Sequence, residues 1–185
     1  TWAGEQGGAV LCHAIHSHDL LCHFFGPVAA VSAFTTTRAN KIETEDCAAI
    51  SFEMANGAIA TSNITLGAAR NETRLRFVFD LLTATSGLNP YLPGAAQWDF
   101  TARTTSQQDS IDAFLDQKTG DEVGFNGFYL DIAKDLNGRE NAAVGLDAGI
   151  RSIELVTAIY HAARSGERVK LPIPEDHPLY GGWAP

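Results

Sequence analysis

An α+β fold is predicted for this 185-residue chain: a mainly antiparallel, in part mixed, open sheet with helices packed on one face and the other face available for oligomerisation. Three observations predict it. An amphipathic helical segment opens the sequence, β-rich segments joined by short turns fill the middle, and helical segments follow toward the end. Hairpin turns between strands, in place of long helical crossovers, make the pairing antiparallel. With 45% hydrophobic residues, the chain is long enough to bury one good core, and residues 1–185 are read as a single domain.

The first element lies within "GGAVLCHAIHSHDLLCHFFGP", residues 7–27, where Gly8 to Phe25 suit a helix. At about 100° per residue, Cys12, His16, Asp19 and His23 fall within roughly 60° of one another. Val10, Ala14, Leu21, Phe24 and Phe25 cluster on the opposite side. His13 and His18 sit nearer the flanks and read as structural histidines bonded to neighbouring strands. Gly26-Pro27 ends the helix.

Strand material follows. Residues 28–38, "VAAVSAFTTTR", are rich in β-branched side chains, and residues 44–66 read as a hairpin around Asn56-Gly57. That dipeptide predicts a two-residue type I′ turn with positive φ at both positions, placing Met54 opposite Ile59, Phe52 opposite Thr61 and Ile50 opposite Asn63. The small, partly polar face of such a hairpin suits contact with another sheet. Residues 73–82, "TRLRFVFDLL", alternate as one strand with Leu75, Phe77, Phe79 and Leu81 on one side. A further strand is expected at 96–103, after the Pro/Gly-rich "GLNPYLPG". Two helices come next: 126–137, ending at Gly138, and 147–166, with Asp147 as N-cap and Gly166 just past the end. Ile150, Ile153, Leu155, Val156, Ile159 and Tyr160 run through the interior of the second. The Pro-rich end, residues 169–185, reads as an extended tail over the surface.

Bulk composition excludes several functions. The formal charge is −9, from 13 basic and 22 acidic side chains; polyanions are repelled, so nucleic acid and membrane surfaces are not expected partners. The histidines and Asp19 of the opening segment forbid a membrane span there. Three cysteines at irregular spacing read as free thiols in a reducing compartment, hence a cytoplasmic location. The opening "TWAGEQ", with no Met, reads as the start of a piece of a larger protein.

Other clusters read as structure. Glu43, Glu45 and Asp46 are expected in a solvated loop, and Arg70, Arg74 and Arg76 on a polar strand face opposite Phe77 and Phe79. Trp2, Trp98 and Trp183 are too scattered for a sugar platform, and His161 and His177 carry no pattern. Cys12, His16, Asp19 and His23 are all metal-compatible types, but one helix cannot wrap four ligands round an ion. No metal is expected, although Cys12 with His16 remains the pair on which a metal-dependent alternative would rest.

Three segments, "TWAGEQGGAVLCHAIHSHDLL", "TEDCAAISFEMANGAIAT" and "AGIRSIELVTAIYHAARSGERVKLP", together resemble the C-terminal domain of the Gfo/Idh/MocA oxidoreductases. The shared features are a Gly-Gly pair before a helix with His-x-x-Asp (His16 to Asp19), a strand hairpin around Asn-Gly, and a last helix followed by "V-x-LP". The resemblance implies the substrate-binding and oligomerisation half of an NAD(P)-dependent oxidoreductase. Its substrate would be a sugar, inositol or related cyclic polyol, oxidised or reduced by hydride transfer. NAD or NADP would be held by an N-terminal Rossmann half absent from this sequence, and the fragment alone would be inactive. The chain would form a homodimer or homotetramer through its sheet face. His16 and Asp19 are then the candidate catalytic residues, Asp19 by holding His16 or a nearby backbone donor. Cys12, His13 and His16 are the candidate substrate contacts. Cys12 stands where the family carries an Asp, and a neutral thiol is a weak hydrogen-bond partner in that role. The rival expectation is a non-catalytic association module.

Overall fold

The computed structural model describes residues 1–90, 97–117, 122 and 124–183. The chain forms two compact units, Thr1–Ala69 with Gly145–Pro185, and Arg70–Val144. The expected α+β class is observed.

The first unit begins with a short helix, α1 (Trp2–Glu5), then a wide π-helical turn (Val10–Ala14) that runs into α2 (Ile15–Phe25). Gly26, at φ 81°, ends α2 as expected. The strands β1 (Val28–Thr36), β2 (Cys47–Met54), β3 (Ile59–Thr65) and, from late in the chain, β7 (Val169–Lys170) form an antiparallel sheet of order β3-β2-β1-β7. The long helix α5 (Leu146–Ser165) packs against β1, with α2 beside it. Val31, Ala33, Ile50, Phe52 and Met54 point from the sheet into this core, where they meet the buried run from Leu155 to Tyr160. Each large apolar side chain sealed here contributes about 1.5–3 kcal/mol.

The outer sheet face is exposed among the described residues. Ser32, Ser51 and Thr61 form a paired row across it, with Phe34 and Ile59 exposed at 77% and 84%. Arg168 makes a two-pronged pair with Glu53, at 2.7 and 2.5 Å.

The hairpin forms, but not in the expected register. Phe52 pairs with Ala60, Ile50 with Ser62 and Glu53 with Ile59, so the inward residues of β3 are Ala60, Ser62 and Ile64. The loop has three residues: Gly57 N–H donates to Met54 O and Met54 N–H to Ala58 O, and only Gly57, at φ 88°, is left-handed. This is a type I turn closed by a glycine bulge, not a type I′ turn. Tertiary contact explains the choice. Asn56 uses its amide on Phe25 O (3.1 Å) and accepts from Ala58 N–H (3.0 Å).

Two corrections concern α5. Its N-cap is Gly145, with Asp147 inside the first turn, where a carboxylate complements the helix dipole. Ile150 and Ile153 are exposed, because enclosure begins only at Leu155. Gly166, at φ 73°, ends the helix as expected. The C-terminal segment is more than a surface tail, since β7 pairs with β1 and Trp183 is buried.

The second unit holds a three-stranded antiparallel sheet, β4 (Arg76–Val78), β5 (Leu82–Thr85) and β6 (Asp99–Ala102), followed by α3 (Thr105–Gln117) and α4 (Gly124–Leu136). The single strand expected at 73–82 is instead a hairpin. Phe79 N–H donates to Leu82 O across Asp80-Leu81, so Phe77 is buried while Phe79 and Leu81 reach solvent. Of the three arginines only Arg76 lies on a strand, and Arg70 pairs with Glu72. The strand expected at 96–103 is β6, with residue 96 outside the described residues. Helix α3 was not expected from its few apolar positions. A Thr-x-x-Gln capping signature marks its start, and Gln107 N–H donates to Thr104 Oγ1 at 3.3 Å.

Candidate active site

The helix that carries the histidine cluster is fixed at its first turn by groups distant in sequence. Gly7 and Gly8 need no unusual φ; they are required by space. A Cβ on Gly8 would lie 2.0 Å from the Glu45 carbonyl oxygen, and one on Gly7 2.5 Å from the Tyr160 hydroxyl. In the gap so left, the Glu45 carboxylate accepts Gly8 N–H (3.1 Å), Val10 N–H (2.9 Å) and Tyr160 O–H (2.9 Å). The Tyr160 oxygen in turn accepts from Gly8 N–H at 3.2 Å. A helix start leaves N–H groups without intrahelical partners, and an anion there also suits the dipole. Burial first, then the Glu45 charge, raises the Tyr160 pKa, so its phenol stays protonated and keeps donating.

Asp46 is the second buried carboxylate. It accepts the N–H groups of Arg38 (2.8 Å), Ala39 (2.8 Å) and Asn40 (2.6 Å), and the Asn40 amide at 3.1 Å. The Arg38 N–H leads, against burial, in holding this carboxyl well below the usual range. Glu45 and Asp46 are thus buried at 5% and 0% exposure, and the solvated loop expected for them is wrong. The desolvation of each charge is offset by converging N–H and O–H donors. An isolated acidic pair before a strand gave no sign of these partners.

Cys12, His16, Asp19 and His23 are all exposed, and His18 and Leu21 are buried on the other side. The wet front expected for the helix therefore exists. Burial first, with the Glu5 and Glu45 charges, raises the Cys12 pKa, so the residue presents a neutral thiol. Asp19 accepts from the Ser152 hydroxyl of α5 at 3.4 Å, which ties it to a neighbouring side chain. His13 is half-buried on the flank. His18 Nε2 lies 3.1 Å from Ser62 Oγ on β3, and its ring stands edge-on to Phe52 at 5.1 Å. Burial pushes its pKa down to about 4. His18 is thus the neutral structural histidine expected, bonded to a strand.

Two of the three tryptophans do converge. Trp2 and Trp183 both pack on Tyr160, at 5.8 and 5.4 Å between centroids, and Arg164 lies 5.5 Å over Trp2. Because the cluster braces Tyr160, it supports the Glu45 clamp.

Among the described residues, no group of three or more His, Cys, Asp or Glu side chains could hold a metal ion. All strand pairs among them are antiparallel. No parallel β–α–β crossover there aims a helix N-terminus at a pyrophosphate, so these residues do not fit a dinucleotide in the Rossmann manner. No described helix is long and apolar enough to cross a membrane.

Residues 1–83 match the sequence model of the family described as GFO/IDH/MocA C-terminal domain. Among solved structures, the chain is similar to the WlbA dehydrogenase from Bordetella pertussis in complex with NADH and UDP-GlcNAcA. That match has 26% identity and a TM-score of 0.70, over 91% of this chain and 46% of that one. The WlbA dehydrogenase from Chromobacterium violaceum, also with NADH and UDP-GlcNAcA, is 30% identical at a TM-score of 0.70, over 91% and 47%. The aldose-aldose oxidoreductase from Caulobacter crescentus, complexed with glycerol, shares the fold at 20% identity and a TM-score of 0.68, over 92% and 51%. The chain spans about half the length of these structures. No curated protein sequence matches it. The glycine pair, the His16–Asp19 helix and the Asn-Gly hairpin all fall within residues 1–83, the stretch that matches the GFO/IDH/MocA C-terminal domain.

Proposed function

We propose that residues 1–185 form, as one domain, the substrate-binding and oligomerisation half of an NAD(P)-dependent oxidoreductase acting on a sugar or related cyclic polyol. The observation that carries this reading is the match over 91% of the chain, at 26% and 30% identity, to two dehydrogenases solved with NADH and UDP-GlcNAcA. Those two favour a nucleotide-linked sugar over a free polyol. The cofactor is held by residues outside this chain, in the cytoplasm. His16, exposed on the face it shares with Cys12, takes or returns the proton of the reacting hydroxyl. Cys12 and His13 line the sugar, and Asp19, held by Ser152, supports the helix face. The open row of Ser32, Ser51 and Thr61, with Phe34 and Ile59 beside it, meets the same face of another copy in a dimer or tetramer.

The test uses the full-length parent, NAD⁺ or NADP⁺, and a panel of nucleotide sugars, free sugars and inositol, read by absorbance of reduced cofactor. Reduction by at least one substrate is expected. His16→Ala should lower kcat by about 10²-fold or more, with a smaller change in KM. No reduction across the panel, or an unaffected His16→Ala, refutes the enzymatic reading. A monomer in light scattering at high concentration refutes the association.

A further inference from the structure

The C-terminal segment is fastened along one side of α5. Ile173 N–H donates to the Glu154 carboxylate at 2.9 Å, and the Trp183 indole N–H to Thr157 Oγ1 at 3.0 Å. The His177 ring stands edge-on to His161, 4.5 Å between centroids, and Arg164 donates to the Trp183 carbonyl. Positions 154, 157, 161 and 164 follow helical spacing, so these four anchors share one stripe. The Trp183 ring rests on Tyr160.

Of the three segment anchors, Ile173, His177 and Trp183, His177 is the one whose side chain can take a proton. Its Nδ1 accepts Leu179 N–H at 3.1 Å, while its carbonyl accepts Tyr180 N–H at 2.9 Å. A ring nitrogen that accepts carries no hydrogen, so the neutral ring keeps its proton on Nε2. That atom is buried without a hydrogen-bond partner among the described residues. A second proton can therefore enter only at Nδ1, on the lone pair that holds Leu179. The groups facing the ring are His161 from α5 and Asp176 on the segment itself. Glu154 and Arg164, along the same α5 stripe, are engaged with Ile173 and Trp183. Burial first and then His161 hold the His177 pKa below the ordinary imidazole value, against Asp176.

We propose that residues 171–183 are a proton-released strap: protonation of His177 at Nδ1 breaks its bond to Leu179 N–H, opposes the His161 ring and frees Trp183 from Thr157 and Tyr160. The ring resists a proton more when seated than when released. The strap is therefore held above about pH 6.5, and its hold is lost as pH falls below that. Tyr160 also bonds Gly8 and Glu45, so release loosens the first turn of the helix carrying Cys12 and His16. Only this last consequence rests on the functional reading above.

Amide exchange of the 185-residue chain at about pH 7.5 and about pH 5, corrected for intrinsic rates, tests the release. Amides of 171–183 should exchange about tenfold faster at the lower pH, and those of β1 and β2 by a smaller factor. His177→Asn keeps an acceptor for the N–H two residues on but does not titrate, so it should stay protected at both pH values. His177→Ala should be unprotected at both. An equal rise in strap and sheet, no rise in the wild type, His177→Asn following the wild type, or His177→Ala protected at about pH 7.5 would each overturn the proposal. None of these readouts uses turnover, so loss of the catalytic reading leaves the strap intact, and the reverse.

Discussion

His18 makes stability depend on pH, and the size of the effect follows from its surroundings. The side chain is 3% exposed, its Nε2 is matched to Ser62, and Nδ1 is buried without a partner among the described residues. Burial lowers its pKa from 6.5 to about 4. A depressed histidine takes its proton preferentially in the unfolded chain, so its stabilisation is full above pH 6.5 and falls as pH falls, levelling off below about 4. At about 1.4 kcal/mol per tenfold change in proton affinity, this amounts to roughly 3 kcal/mol in all, about 2 of it by about pH 5. Urea denaturation of the wild type and His18→Gln between about pH 7.5 and about pH 4.5 measures it. Glutamine keeps a polar end for Ser62 and does not titrate, so the difference between the two curves isolates His18 from the titrating groups that both proteins share. The variant should be less stable at neutral pH, by about 1 kcal/mol for a disturbed buried bond, yet lose less in acid. Parallel curves across that range would refute the reasoning.

Two further perturbations probe the helix clamp. Gly8→Ala drives a Cβ into the Glu45 backbone at 2.0 Å and should cost about 3 kcal/mol, at the upper end of overpacking. Gly57→Ala, at φ 88° with open space around it, should cost only about 1 kcal/mol of backbone strain. Equal losses by chemical denaturation would show that Gly8 is not a close approach. Glu45→Ala strands the Val10 N–H and the Tyr160 hydroxyl, leaves Gly8 N–H only its bond to Tyr160, and should cost roughly 3 kcal/mol. Combined with Tyr160→Phe in a double-mutant cycle, it should show a coupling of about 1 kcal/mol; additive losses would place the two side chains in separate environments.

The sequence by itself determined the elements whose signals are local. Gly26 and Gly166 end helices because left-handed φ values favour glycine there. The alternation of Ile50, Phe52 and Met54 marks a strand with one buried face, and the 3.6-residue period puts Cys12, His16, Asp19 and His23 on one exposed face. The family resemblance was legible for the same reason, since it rests on the Gly7-Gly8 pair, the His16–Asp19 helix, the Asn56-Gly57 hairpin and the last helix with its V-x-LP. Only the tertiary structure decided the rest. Register at Asn56 followed from its bond to Phe25, thirty-one positions away. Glu45 and Asp46 look like any solvated acids until the N–H groups of 8, 10 and 38–40 converge on them. The strap along α5 joins side chains of that helix to a segment that follows β7, itself paired with β1. Burying a carboxylate or an imidazole requires partners from distant segments, and a linear pattern records the residue but not which segments come to meet it.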